Sequence, residues 1–438
     1  MGRRGTGRSG RLRAVTLAGA TALLTAACSA TPAAPGPSAT TASPQAQQLV
    51  VWDAPDSSAA EATMRTLLDH FQAEHPQITV QYQSMAPQVL RERFDTAAKS
   101  ASGVPDVLRL PTEWTADFAG KGYLLALDNV LPANVQDDLV PAAQAAATFD
   151  GRLYSAPQAT DTLALIVDKA LLARAKLPVP TTWSEVIASA GPLTAYGIRA
   201  FDTAFDGYHL LPFIYSAGGQ LLNPSTKQVL VSQPEAVDGL TLRVSIPAPP
   251  ASQMAAQVTK TDPFRATAVQ SAFSDGDLAM TVDSLSALPL LTRGRPAGTV
   301  VAGPLPPGST GQSIAPVDGD AVAIYAGTTA PTAASLLTTY LTSAAAQATL
   351  TSQAGLLPSL RSVLAQPLVT ADPYLSVYAK ILTTAQALPP VQGAADLMFP
   401  LGDALKACLV DGTTPQAALD DTAVKFASSL TYTIAPAP

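Results

Sequence analysis

The sequence predicts an α/β chain built around a mostly parallel sheet, and three observations carry that expectation. Short apolar runs at residues 49–52, 78–82 and 105–110 alternate with helical patterns at residues 60–71 and 88–100, the order expected of strands joined by crossover helices. Ala60, Met64, Leu67, Leu68 and Phe71 recur at helical spacing, whereas Ile78-Thr79-Val80-Gln81-Tyr82 alternates with the two-residue period of a strand. A late apolar run, Ala321-Val322-Ala323-Ile324-Tyr325, follows a Gly/Pro-rich stretch at residues 303–319 and adds a further strand. The 438 residues are long enough for two or three domains with sizeable cores.

In chain order, a basic start (Arg3, Arg4, Arg8, Arg11, Arg13) leads into the apolar run of residues 14–28. That run is too short to span a bilayer permanently and has the order of a secretory leader, assigned to residues 1–27. Ala26-Ala27-Cys28 resembles a bacterial lipobox, with Thr25 where Leu is usual and Leu24 one step earlier. The resemblance implies an acylated Cys28, with palmitate among its chains, anchored on the outer face of the cytoplasmic membrane. A plain cleaved leader with an incidental cysteine is the alternative. Residues 28–48 then form the lipidated end and a spacer rich in Ala, Pro, Ser, Thr and Gln, a composition too poor in apolar side chains to fold alone.

The first strand begins at Leu49-Val50-Val51-Trp52, and the first helix stops before Pro76. Beyond the third strand, helices are expected near residues 183–191, 207–217, 264–275, 330–352 and 399–410, with loops around 244–263 and 303–311. Thr181 or Thr182 caps the helix that Glu185 opens, with Trp183 packed beside it. Gly276 supplies a turn after Phe273, and Ala279 and Met280 enter a buried strand.

Charge and composition exclude several functions. The chain carries a formal charge of −7, and losing the leader's five Arg takes it to −12. With no Lys/Arg cluster, the mature protein suits neither nucleic acid nor anionic lipid. Two Cys and three His leave little for a zinc site, and no cofactor or metal is expected. No Gly-x-Ser-x-Gly, His-Glu-x-x-His or Gly-x-x-x-x-Gly-Lys motif occurs, so an enzyme is not expected. A hydrolase using two loop carboxylates remains as an alternative.

Several stretches, in order, resemble the family 1 extracellular solute-binding proteins of ABC sugar importers, the maltodextrin-binding type. They are Gln48-Leu49-Val50-Val51-Trp52-Asp53, Phe71-Gln72-Ala73-Glu74-His75-Pro76, Ser102-Gly103-Val104-Pro105-Asp106-Val107 and Gly122-Tyr123-Leu124-Leu125-Ala126-Leu127-Asp128. Asp150-Gly151-Arg152-Leu153-Tyr154-Ser155-Ala156-Pro157, Pro180-Thr181-Thr182-Trp183-Ser184-Glu185 and Ala272-Phe273-Ser274-Asp275-Gly276-Asp277-Leu278-Ala279-Met280 follow. The resemblance implies a two-lobed periplasmic-binding-protein-like fold with a ligand cleft between lobes. One lobe would hold residues 49–160 and 312–354, the other 161–305 and 355–438. It also implies capture of a small carbohydrate, delivery to ABC permease subunits and a monomeric protein.

Binding residues belong where strands end and loops face the cleft. Asp53 and Asp56 follow the first strand; Glu113 and Trp114 follow the third. A carboxylate accepts sugar hydroxyls and an aromatic face stacks on a pyranose, so acid beside aromatic suits a sugar. Trp52 stands as core or site. Gln158 and Asp161 lie where the chain first crosses between lobes. The resemblance implies ligand contacts at Asp161, Tyr208 and His209, and others at Asp283, Ser286 and Asp318. Ser286 stands where relatives often carry a stacking Trp, and Phe399 is a looser aromatic match. With three Trp in the chain, a small sugar or polyol held by hydrogen bonds is expected. A glycerophosphodiester is the runner-up, with Arg109 as its cleft-side cation.

Overall fold

In the computed structural model, residues 47–55 and 57–436 are described. Cys28, the leader, all but the last two residues of the spacer, and Asp56 lie outside them.

The first sheet is built from β1 (Gln47–Asp53), β2 (Ile78–Ser84) and β3 (Val107–Pro111), with α1 (Ser58–Glu74) and α2 (Pro87–Ser100) as crossovers. β2, β1 and β3 run parallel, with Val51 opposite Val107 and Tyr82. Strand Asp320–Ile324 adds antiparallel to β3, and Ala156–Pro157 pairs antiparallel with that strand. Both faces are covered. Leu49, Val51, Val107, Val322 and Ile324 join a core with α1, while Trp52, Leu108, Leu110 and Ala323 join Phe94 and Phe118 on the other face. The two-residue period explains the sorting: successive side chains of a strand point to opposite faces. α1 buries Met64, Leu67, Leu68 and Phe71, each contributing roughly 1.5–3 kcal/mol, and Ser57 caps it through the Ala60 amide.

The second sheet is mixed rather than mostly parallel. Its long strand, Ala159–Asp168, runs antiparallel to Leu278–Ser284 and to Val300–Gly303; only Arg199–Asp202 is parallel to its neighbour Leu278–Ser284. An apolar run buried on both faces reads alike in either direction, so the pattern of residues 163–168 does not reveal it. Trp183 packs on Phe201 and Phe213 behind this sheet. Thr182 and Glu185 form the reciprocal cap expected of them.

Three chain passages link the sheets side by side. Residue 158 separates Ala156–Pro157 from the long strand, and Gly319 separates Val317–Asp318, paired with the long strand, from Asp320–Ile324. Helix Ala344–Ala354 packs in the first core, and the chain then returns through Leu357–Pro358 to pair with Thr160 and Ala159. The Gln158 amide donates to Asp320 O (2.8 Å) and the Thr112 amide to Gly319 O (2.8 Å).

Two element expectations are corrected. The helix expected at residues 330–352 is two, Pro331–Leu341 and Ala344–Ala354, because Ser343 turns extended and caps the second through Ala346. The loop expected around 244–263 contains a helix, Ala251–Gln257, whose Met254 is buried against the second core. Among the described residues, no helix is long and apolar enough to cross a membrane.

Candidate functional site

β3 ends at Pro111 and tightens into a short turn, Thr112–Trp114. Opposite it, helix Gly207–Ser216 begins with Asp206, whose carboxylate accepts from the His209 amide (2.8 Å) and contacts His209 Nδ1 (2.7 Å). An aspartate three residues before a helical histidine satisfies a free helix amide and holds the imidazole. The two elements face each other at the chain crossings.

Between them lies a cavity of about 220 Å³, walled by Asp161, Tyr208, His209, Ser286, Asp318 and Asp320 among others. An adjoining pocket of about 350 Å³ shares Asp161, Ser286, Gly319 and Asp320 and reaches Ser57 and Tyr374. Five residues singled out in the sequence, Asp161, Tyr208, His209, Ser286 and Asp318, therefore meet at one place. Asp161 Oδ1 accepts from the amides of Thr162 (2.8 Å) and Leu285 (3.1 Å), tying the long strand to the end of its neighbour. Thr112 donates its hydroxyl to Asp318 Oδ1 (3.2 Å), and the Ser284 and Ser286 hydroxyls share a 2.7 Å hydrogen bond.

The electrostatics are specific. Burial pulls the His209 imidazole down, but Asp206, by charge and hydrogen bond, and then Asp283 carry it up to about 9. It is thus a cation at neutral pH, with Nε2 4.0 Å from Asp283. Burial pushes the Asp283 carboxyl up, and Gln270 donates to it at 3.0 Å. Burial, then the charge of Asp318, push Glu113 up to about 8. The ensemble offers carboxylate and hydroxyl acceptors, an imidazolium donor and an aromatic ring, which together match a polyhydroxylated solute.

Other expected residues sit elsewhere. Asp53 and Gln158 line neither cavity. Both are fully buried around Arg109, which reaches Asp53 at 3.0 Å, Gln158 at 2.8 Å and Asp320 at 2.5 Å. Tyr82 donates to the other Asp53 oxygen, and Gln158 donates to Leu341 O at 2.8 Å. A buried guanidinium needs such partners, and for that reason Arg109 is no cleft-side cation. Trp114 is buried, edge-on to Phe118, with Arg91 over its ring at 5.8 Å. Trp52 is core. Glu113 lines a slit of about 20 Å³ beside the cavity. Asp283 backs His209. Phe399 is exposed against Phe264, outside both cavities.

Asp206 and Asp320 escaped the sequence reading. The Asp-x-x-His spacing at a helix start signals the first. The second lies two residues past Asp318, on a strand whose pairing no local pattern reveals. Among the described residues, no group of three or more His, Cys, Asp or Glu is placed to hold a metal ion.

The family model for bacterial extracellular solute-binding proteins matches residues 54–348. The chain belongs to this family. Curated relatives of this solute-binding protein include a lipoprotein of Streptomyces antibioticus encoded in the oleD 5′ region, 29% identical over 204 residues (45% of this chain, 44% of the relative). A maltotriose-binding protein of Pyrococcus abyssi is 23% identical over 189 residues (40% and 38%), and a mannitol-binding protein of Pseudomonas aeruginosa 26% over 125 (28% and 29%). The chain spans less than half the length of these relatives. Among solved structures, the GacH receptor of Streptomyces glaucescens, determined unliganded and with acarbose, superposes with a TM-score of 0.76 at 28% identity, over 88% of this chain and 99% of that one. The cyclic α-maltosyl-1,6-maltose binding protein of Arthrobacter globiformis reaches 0.75 at 18% identity (87% and 98%), a likeness of fold. The two-lobed architecture of periplasmic sugar-binding proteins is therefore the fold of this solute-binding protein.

Proposed function

We propose that this protein captures a small carbohydrate between its lobes and delivers it, unmodified, to the membrane permease of an ABC importer. The observation that carries the reading is the meeting of Asp161, Asp318, Tyr208, His209 and Ser286 around one cavity at the chain crossings. The acceptors and the charged donor come from the second sheet's side, and Pro111 and Asp320 of the first sheet wall the opposite side, so closure on a solute would exclude water and strengthen each hydrogen bond. The relatives named for maltotriose and mannitol, and the acarbose complex, agree with a sugar or polyol. In this reading residues 49–160 with 312–354, and 161–305 with 355–438, are the lobes that close, as a monomer.

Ala26-Ala27-Cys28 supports an acylated mature N-terminus held at the outer face of the cytoplasmic membrane, and one relative is itself described as a lipoprotein. A glycerophosphodiester gains no support, since Arg109 is consumed by Asp53 and Asp320 and His209 is faced by two carboxylates.

A thermal-shift titration of the mature protein with maltose, maltotriose, mannitol and glycerophosphocholine tests the reading. A sugar at a thousandfold its Kd adds ~4 kcal/mol to the folded state, and the shift disappears in Asp161→Ala and His209→Ala. A shift with glycerophosphocholine alone, or with none of the four, contradicts it.

A further inference from the structure

Residues 386–397 belong in sequence to the second lobe but bind both. The Gln386 amide donates to Ala315 O (2.9 Å) and its carbonyl accepts from Val317 (3.0 Å). Leu388, Val391, Ala394 and Leu397 are buried in the core of the second sheet. Ala395, in the short turn Ala394–Leu397, is instead buried with Trp114 and Phe118 in the core of the first. Arg91 of α2 donates to both oxygens of Asp396, at 2.8 and 3.1 Å, while its guanidinium lies over Trp114. Gln392 rests on the end of the first lobe's helix Thr115–Gly120, where a Cβ on Gly120 would meet its Oε1 at 3.0 Å. Pro389 and Pro390 stiffen the segment, each fixing its own φ.

This segment divides the space between the lobes. Pro111 and Asp318 wall the 220 Å³ cavity, and their chain neighbours Thr112 and Val317 wall the 20 Å³ slit. Pro389 and Pro390 form the slit's other side, and Pro390 also walls an outer groove of about 940 Å³ that runs past Phe149, Lys227 and Tyr432. The inner cavity is smaller than the ~300–1,000 Å³ typical of sites for drug-sized ligands. On its other flank it continues into the 350 Å³ pocket with shared walls, so a solute extends that way and not through the slit.

We propose that residues 386–397 are a strap that ends the carbohydrate site and sets the length of the solute. One or two sugar units fill the inner cavity and its neighbour and stop short of the slit, whose far side Pro389 and Pro390 close without touching them. A longer oligosaccharide reaches the outer groove only when the Arg91–Asp396 contact is released. The inference rests on the carbohydrate reading above. Because the Asp396 carboxylate is half exposed and its ion pair partly open to water, the latch is weak enough for one substitution to loosen it.

Calorimetric titration of the mature protein with maltodextrins and cellodextrins of one to four units tests this. In the series that binds, the wild type loses at least tenfold in affinity between two and four units. In Asp396→Ala, and separately in Pro389→Gly/Pro390→Gly, the loss shrinks below threefold while affinity for the shorter sugars stays within threefold of wild type. Equal wild-type affinity for two and four units overturns the strap, as does an unchanged tenfold step in both variants. Failure of every sugar to bind wild type and variants alike overturns the carbohydrate reading itself, and the strap with it.

Discussion

His209 shows how a single side chain is prepared by its neighbours. Its imidazole sits 2.7 Å from Asp206 and faces Asp283, which together raise it from the usual 6.5 to about 9 despite burial. A group whose folded pKa is raised stabilises the fold fully below its unfolded pKa and loses that contribution as pH climbs through the folded one. The contribution is therefore complete below about pH 6.5, falls between 6.5 and 9, and is gone above. The shift corresponds to ~3 kcal/mol at most, at 1.36 kcal/mol per unit, and the lowering of Asp206 is the same contact seen from its partner. Urea unfolding at pH 6 and pH 9.5 should show wild type losing up to ~3 kcal/mol more than His209→Gln. Equal losses in the two proteins would show that the ion pair does not form. Glu113, raised to about 8, drifts in the same direction in both proteins and cancels in the difference. The sequence marked His209 and Asp161 through resemblance, yet placed Asp53, Gln158 and Arg109 beside solute. Buried charge explains the miss: a strand-end Asp paired to a buried Arg looks the same in one dimension as a strand-end Asp facing a cleft.

At the scale of elements, the chain crossings hold the site together. Gly319 has φ +140°, and a Cβ there would collide with the backbone of Ala159 and Thr160. It lets two crossing passages touch, so that Asp318 and Asp320, on either side of it, serve the second and first sheets respectively. Gly319→Ala should cost about 3 kcal/mol or more, because backbone strain of ~1–3 kcal/mol adds to a clash between main chains. Denaturant unfolding measures it, and a cost below ~1 kcal/mol would mean that the crossings separate easily. Local elements were readable where local signals act: the Thr182–Glu185 cap, the Gly276 turn at φ +86°, and the alternation of β1 across two cores. Strand direction in the second sheet was not, since direction is fixed by which strands meet across the distant pairings of Arg199 with Leu278, Val167 with Met280 and Asp168 with Val300.

At the scale of the molecule, the proposed site is a seam rather than one surface. In the proposed reading, a solute in the cavity walled by Asp161, Asp318, His209 and Pro111 gains most when all four are near, so it would favour the closed arrangement. Small-angle scattering of the mature protein should show a smaller radius of gyration with saturating ligand. The contraction should be lost in His209→Ala at the same ligand concentration. An unchanged radius under conditions where calorimetry shows full occupancy would mean that binding does not move the lobes.

The sequence by itself determined the family and the first sheet with its crossover helices, because apolar period, caps and ordered motifs are local signals. Only the tertiary structure decided which carboxylates line the cavity and which pair with Arg109, that the second sheet is mixed, and that residues 386–397 enter the cores of both sheets. Those outcomes depend on contacts between residues far apart in the chain, such as Arg109 with Asp320 and Arg91 with Asp396. Burial and pairing, which set the charge and reach of each side chain, exist only once those segments have met.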